Sequence, residues 1–509
     1  MSVEMGPELV FGLVGASGTN LSLIEQQLRQ VLATFDYEAE IIRVIELLEV
    51  FDRWSHLPSS PEEERIKSRM DAGDEFRTLV GQSDALARLC VGKIRDLRER
   101  RTGNPSLPQG RRCYILHSLK RVEEVEYLRG LYGRNFVLVG AFAPRLDRVA
   151  RLASKIATSR YAATSDAYRS HAEEIIQRDL EDQTKAVGQR VGDTFPLADV
   201  FVDAADPGHL YEALARFMRL LFGYPFHTPT RDEYGMFHAQ AAAYRSGALS
   251  RQVGAAITTA DGSVIAVGTN DVPKAGGGLY WEGDDPDARD HVLQQDSSDI
   301  VRRGMLAEVL ERLIRAGWIV EEKKTSGVEQ LVVEALEQKS PPILRGAQVM
   351  RVVEYGRAVH AEMAAIVDAA ARGTRIDGGT LYTTTYPCHN CARHIIAAGI
   401  RRVVYVEPYP KSLTYELHKD AMLHDEPTAE RVSFQAFMGL APRRYMDLFE
   451  MVTRKTPTGA VVEWDKRTAL PRNVPLTLGY IGDELEHFDL LIARLKRVGI
   501  IGEGDDDSA

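Results

Sequence analysis

Cysteine is scarce in this chain: 509 residues hold four, Cys90, Cys113, Cys388 and Cys391. That is too few for a disulfide framework at this length, and it predicts reduced thiols in a cytoplasmic protein. Long hydrophobic runs are missing as well. No stretch approaches the ~18 apolar residues that span a bilayer, and the opening MSVEMGPELVFG carries an acid where an export signal carries a base, so neither anchorage nor secretion is expected. The chain also lacks a basic excess. Lys plus Arg number 63 against 73 Asp plus Glu, a formal net charge of −10. This argues against a protein that coats DNA or RNA through phosphates, and favours small ligands held by a few cations or helix N-termini. What is present is ordinary for a folded protein, 44% apolar and 27% charged residues. The length suggests about two to four domains.

Leu9 to Gly15 reads as a buried strand, followed by the turn GASGTN and an amphipathic helix from Leu21 to Phe35. Further strands at 113–119, 136–142 and 198–202 alternate with helices, which predicts a parallel sheet covered on both faces. Glycine and proline cluster in FGYPFHTPTRDEYG, at Gly223, Pro225 and Pro229, and mark a boundary. The expected division is therefore 1–228, then a second domain over 229–500 with an insertion at 271–357, then an acidic tail over 501–509. The second domain reads as a helix from 232, strands 254–259 and 264–269, a helix 359–371, a strand 380–384, a helix 391–398 and a strand 403–406.

The chemistry concentrates in that last stretch. His360-Ala361-Glu362 is followed 28 residues on by Pro387-Cys388-His389-Asn390-Cys391. One His and two Cys make three zinc ligands with a fourth position left for water, the open arrangement of a catalytic Zn2+. Cys388 and Cys391 lie three apart at the start of an expected helix, where the helix N-terminus favours thiolate. Glu362, beside them, is placed to move protons as general acid and base. The alternative is a structural zinc completed by His389 or His394.

H-x-E followed by P-C-x-x-C resembles the zinc nucleobase deaminases. The segment RSGALSRQVGAAITTADGSVIAVGTNDVP resembles the deoxycytidylate branch. That resemblance implies a substrate-binding role for Asn270 and a homo-oligomer, and places Arg251 near phosphate, against the plainer reading of a salt-bridged surface arginine; Tyr386, just before Pro387, is a candidate for packing on the base or in the core. The whole chain is similar to the bacterial anti-phage dCTP/dCMP deaminases, on VFGLVGASGTN, RIKSRMDAGDEFR, YILHSLKRVEEVEYLRGLYG, GQRVGDTF and GTNDVPKAGGGLYW. It implies an α/β fold in two parts, a P-loop NTPase/kinase-like parallel sheet domain and a cytidine deaminase-like α/β/α domain. The implied activity is hydrolysis of deoxycytidine nucleotides to deoxyuridine nucleotides. Rival readings are a deaminase editing tRNA or single-stranded DNA, and a non-catalytic nucleotide- or RNA-binding switch with a structural zinc.

The turn after the first strand departs from an active P-loop. With Gly15 as the first glycine of GxxxxGK[ST], Asn20, Leu21 and Ser22 stand where Gly, Lys and Ser belong. Gly15, Gly18 and Ser22 remain as candidates for a regulatory nucleotide with Mg2+, and a small RNA is the other candidate regulator. Arg145, Arg148 and Arg151 share a helix face and are candidate phosphate contacts, against the plainer reading of a solvated face. In the insertion, His291 and its acidic neighbours are candidates for a second metal, against the plainer reading of a charged lid.

Overall fold

The computed structural model describes residues 6–182, 187–338, 342–344, 347–351, 355–408, 412–424, 430–472 and 479–502. The expected acidic tail lies, from residue 503 onward, outside them. In chain order the strands are β1 Leu9–Gly15, β2 Glu38–Arg43, β3 Arg112–His117, β4 Phe136–Phe142, β5 Val200–Asp203, β6 Gly254–Thr258, β7 Val264–Thr269, β8 Thr380–Thr385, β9 Arg402–Glu407, β10 Met422–His424, β11 Val432–Ala436 and β12 Gly439–Leu440. They form two six-stranded sheets, ordered β12-β5-β4-β1-β3-β2 and β10-β11-β9-β8-β6-β7. The protein is thus mixed α/β with two largely parallel sheets.

The chain divides into one unit of residues 1–233 with 438–509 and another of 234–437. In the first, β1 pairs in parallel with β3 and β4. Every residue of its LVFGLVG is buried, as a central strand covered on both faces requires. The second unit differs from the expected 229–500 domain, because the chain returns to the first unit after Phe437. Three interactions explain this. β12 pairs antiparallel with β5, Gly439 opposite Phe201 and Leu440 opposite Val200. The buried Glu233 carboxylate accepts from the Leu440 amide at 2.9 Å while paired to Arg216 at 2.7 Å. The helix Tyr480–Arg497 brings Glu484 to Arg98, which also meets Glu8 at 2.7 Å, and all three side chains are at most 2% exposed.

In the second unit β6 runs antiparallel to β7 and β8, while β8, β9, β11 and β10 run parallel. Two glycines let helices lie directly on the hairpin. A Cβ on Gly254 would sit 1.9 Å from the Ala239 carbonyl oxygen in the helix Arg231–Ala243, and one on Gly268 would sit 2.2 Å from that of Ala361 in the helix Ala361–Ala371. No side chain larger than hydrogen fits at either position. The insertion forms the helices Ser297–Arg315 and Val328–Leu336, and their buried residues are Leu306, Leu331 and Val332. No helix among the described residues is long and apolar enough to cross a membrane.

Gly268→Ala forces the helix Ala361–Ala371 away from β7. Overpacking of this kind costs about 1–3 kcal/mol, so urea unfolding should shift accordingly. An unchanged midpoint would mean that the close approach is not enforced.

Candidate metal centre

Two helix N-termini converge on one point. His360 immediately precedes the helix Ala361–Ala371 in extended conformation, φ −69° and ψ 152°. Cys388 does the same for the helix His389–Ala397, φ −71° and ψ 165°, and Cys391 lies in that helix's first turn. β8 delivers the chain to Cys388 through Tyr386 and Pro387. The His360 Nδ1 stands 3.3 Å from the Sγ of Cys388 and 3.3 Å from that of Cys391. All three ligand atoms lie within 4.8 Å of one another, and they form the one group of three or more candidate ligands among the described residues. Zinc at about 2.3 Å from sulfur and 2.0–2.1 Å from nitrogen in a tetrahedral site sets S···N near 3.5 Å, so the set fits zinc with little movement. Neither His389 nor His394 joins this group; the His394 Nδ1 is bonded to the Asn390 carbonyl at 2.7 Å. The fourth position carries no ligand from the chain among the described residues.

The electrostatics suit a cation. The Cys388 thiol is pulled down to about 4, first by the Cys391 thiol bonded to it and then by His360, against the opposing effect of burial. His360 is pushed up to about 9 by its bond to Cys388. Glu362 is 4% exposed, and its Oε2 lies 3.4 Å from the Cys391 Sγ. Burial raises its pKa above the ordinary carboxylate value. A carboxyl so disposed exchanges a proton more readily near neutral pH.

The other expected site residues are placed as follows. The Asn270 carboxamide spans the preceding loop: Oδ1 accepts from the Val253 amide and Nδ2 donates to the Arg251 carbonyl, both at 2.7 Å. It holds loop 251–253 and keeps one Nδ2 hydrogen beyond these bonds. Arg251 pairs with Glu407, which also accepts from the Thr385 hydroxyl at 3.2 Å. The Tyr386 ring is 9% exposed, packed against Tyr405 and Phe434 with centroids 4.8 and 5.6 Å away, and its hydroxyl meets His424 Nε2 at 3.0 Å. Glu407 and His424 went unnoticed in the sequence, since no spacing ties them to the motif.

In the first unit, Gly15 is buried at the end of β1, Gly18 has φ +89°, and Ser22 is exposed. A Cβ on Gly18 would lie 2.5 Å from the Arg148 carbonyl oxygen, so glycine is required there on two grounds. The Ser17 amide donates to Asp179 Oδ2 at 2.6 Å, and Lys120 Nζ lies 2.9 Å from Asp179 Oδ1. Asp179 is fully buried. Where the sequence suggests a nucleotide phosphate, this turn holds an internal carboxylate, with a lysine supplied from the loop after β3. Arg145 pairs with Glu173 at 3.7 Å, and Arg148 donates to the Ala143 carbonyl at 3.1 Å. The carboxylate of Asp179 satisfies an amide and an ammonium at once, so Asp179→Ala should cost about 1–3 kcal/mol, read by urea unfolding; a neutral effect would show the pairing to be incidental.

Residues 229–407 match the family described as cytidine and deoxycytidylate deaminase zinc-binding region. A deoxycytidylate deaminase of Enterobacteria phage T2 is 46% identical over 54 residues, 11% of this chain and 29% of that protein. The ComE operon protein 2 of Bacillus subtilis is 37% identical over 92 residues, 16% of this chain and 49% of that protein. The chain thus spans less than half the length of these two curated relatives. A solved dCMP deaminase from the cyanophage S-TIM5, in complex with dCMP and dUMP, is 17% identical over 42% of this chain and 100% of that one, with a TM-score of 0.23. The His360, Cys388 and Cys391 cluster lies inside the matched segment, and this part of the chain is a zinc-binding domain of the cytidine and deoxycytidylate deaminase type.

Proposed function

We propose that the unit 234–437 hydrolyses deoxycytidine nucleotides, converting dCMP or dCTP and water into dUMP or dUTP and ammonia. The observation that carries this reading is the buried Glu362 carboxyl beside a three-ligand zinc set with an open position. A structural zinc has no use for such a group.

His360, Cys388 and Cys391 would hold the zinc, which supplies Lewis acidity that makes water a nucleophile at neutral pH. The chain's own part is proton management. Glu362 takes a proton from the incoming water and gives it to the ring nitrogen of cytosine, then carries the proton of the hydroxyl added at C4 to the exocyclic amine, so that ammonia leaves as the C4–N bond breaks and the C4 carbonyl forms. Its burial serves both halves, since a carboxyl with a raised pKa gives up and regains a proton at similar cost. Arg251, on the loop that Asn270 holds, is placed in this reading to meet substrate phosphate in exchange for Glu407. The net charge of −10 supports a nucleotide over a polymeric substrate.

The resemblance of the whole chain to anti-phage deaminases supports a wider reading, in which depletion of dCTP defends a cell against phage. The first unit then serves as a regulatory platform. We assign it no phosphoryl transfer, because Leu21 stands in the lysine position and Asp179 occupies the Ser17 amide.

With zinc, the wild-type chain should release ammonia from dCMP or dCTP, and Glu362→Gln should retain zinc while losing turnover by about 100-fold or more. Product analysis on dCMP, dCTP and a cytosine-bearing oligonucleotide decides the substrate class. Near-normal turnover by the Gln variant, or deamination of the oligonucleotide alone, contradicts the proposal.

A further inference from the structure

The Pro387 carbonyl, one peptide before the ligand Cys388, accepts from two hydroxyls at once. Ser412 Oγ lies 3.0 Å from it and Thr414 Oγ1 3.1 Å. The two hydroxyls are also 2.7 Å from each other. Two hydroxyl hydrogens therefore serve three contacts, so removing either hydroxyl disturbs the whole triangle. Thr414 is fully buried, and Pro387 is buried too, so the carbonyl has no ready replacement in water. One residue earlier, the Tyr386 hydroxyl is bonded to His424 Nε2 at 3.0 Å, and the His424 ring is backed by Tyr415 with centroids 5.1 Å apart. Two consecutive residues leading into Cys388 are thus gripped by one later segment, 25 to 38 residues downstream.

We infer that Ser412, Thr414 and His424 are positioning residues of the metal centre, holding the Tyr386-Pro387 step so that the Cys388 sulfur points at His360 and Cys391. Cys388 sits where strand gives way to helix: its carbonyl accepts the first helical bond, from the Ala392 amide at 2.9 Å, but its backbone is extended and its amide belongs to the Pro387 peptide. Its sulfur direction is set by its own φ and ψ and by the peptide before it. The helix His389–Ala397 fixes Cys391 by its own geometry, but Cys388 precedes that helix and depends on Pro387. Fixing the Pro387 carbonyl therefore fixes the thiolate. Outer supports of this kind typically govern metal affinity by 10- to 100-fold. None of the three residues belongs to the H-x-E or P-C-x-x-C motifs. The inference rests on the zinc reading of the site and is independent of which nucleotide the enzyme takes.

The test is zinc retention by the full-length chain, measured by competition with a colorimetric chelator. Thr414→Val, Ser412→Ala and His424→Phe should each weaken zinc binding, the Thr414 variant by roughly 10- to 100-fold. Thr414→Ser, which keeps the hydroxyl, should restore wild-type retention. Circular dichroism of the zinc-free variants checks that they fold. Ser412 is half-buried, so Ser412→Ala keeps the test decisive if the Val variant fails to fold. Wild-type affinity in Ser412→Ala and His424→Phe overturns the inference. A wild-type chain that binds no zinc overturns the zinc reading itself and the inference with it, an outcome distinct from variants that match a zinc-binding wild type.

Discussion

The second unit depends on bringing two helix N-termini to one point, and a hydrogen atom decides whether that is possible. Gly268 in β7 lets the helix Ala361–Ala371 approach until a methyl group would fall 2.2 Å from the Ala361 carbonyl. That carbonyl belongs to the residue between His360 and Glu362, so the same contact seats both. From the other side, β8, paired in parallel with β9, carries the chain to Cys388. The meeting of the two helices places an imidazole and two thiols within 4.8 Å, at the positive ends of both. Within the cluster the Cys388 thiol is pulled down first by Cys391 and then by His360, while His360 is pushed up by Cys388. A divalent ion answers the same electrostatic demand.

The first unit is held together by buried charge in a different way. Arg98 lies between Glu8 near the start of β1 and Glu484 in the helix Tyr480–Arg497, and the Tyr132 hydroxyl donates to Glu484 at 2.8 Å. Such a cluster is specific rather than cheap: replacing one member leaves a buried charge without its counterpart. It ties the end of the chain to its beginning and accounts for the return of residues 438–502 to this unit. The turn at Gly15 shows the same tendency. Its amide and the nearby Lys120 are satisfied by Asp179, a member of the chain itself.

The His360, Cys388 and Cys391 cluster was legible in the sequence because its chemistry is local: a three-residue spacing at the start of one helix and a His-x-Glu at the start of another need no tertiary knowledge. The central strands were legible for a similar reason, as β1 is an unbroken apolar run. β2 was not, because Glu38, Glu40 and Arg43 interrupt its pattern at the edge of the sheet. The placement of 438–502 was misread because nothing in its composition shows that Glu484 has a partner 386 residues earlier. Asp179 with the Ser17 amide, Asn270 with loop 251–253, and Thr414 with Pro387 are invisible for the same reason. In each, a polar side chain takes its role from backbone that the fold brings to it. Asn270, on the family resemblance, and Tyr386, on its place before Pro387, were expected as substrate contacts; in the fold their polar atoms brace the site.

In the proposed reaction this site adds water to a cytosine ring and expels its amine. The most direct measurement is mass spectrometry of the product formed from dCMP or dCTP in ¹⁸O-labelled water. Hydrolysis at C4 should leave one labelled oxygen in the uracil ring for every ammonia released. Ammonia without incorporation of label, or an unaltered cytosine nucleotide in the presence of zinc-loaded protein, would contradict it.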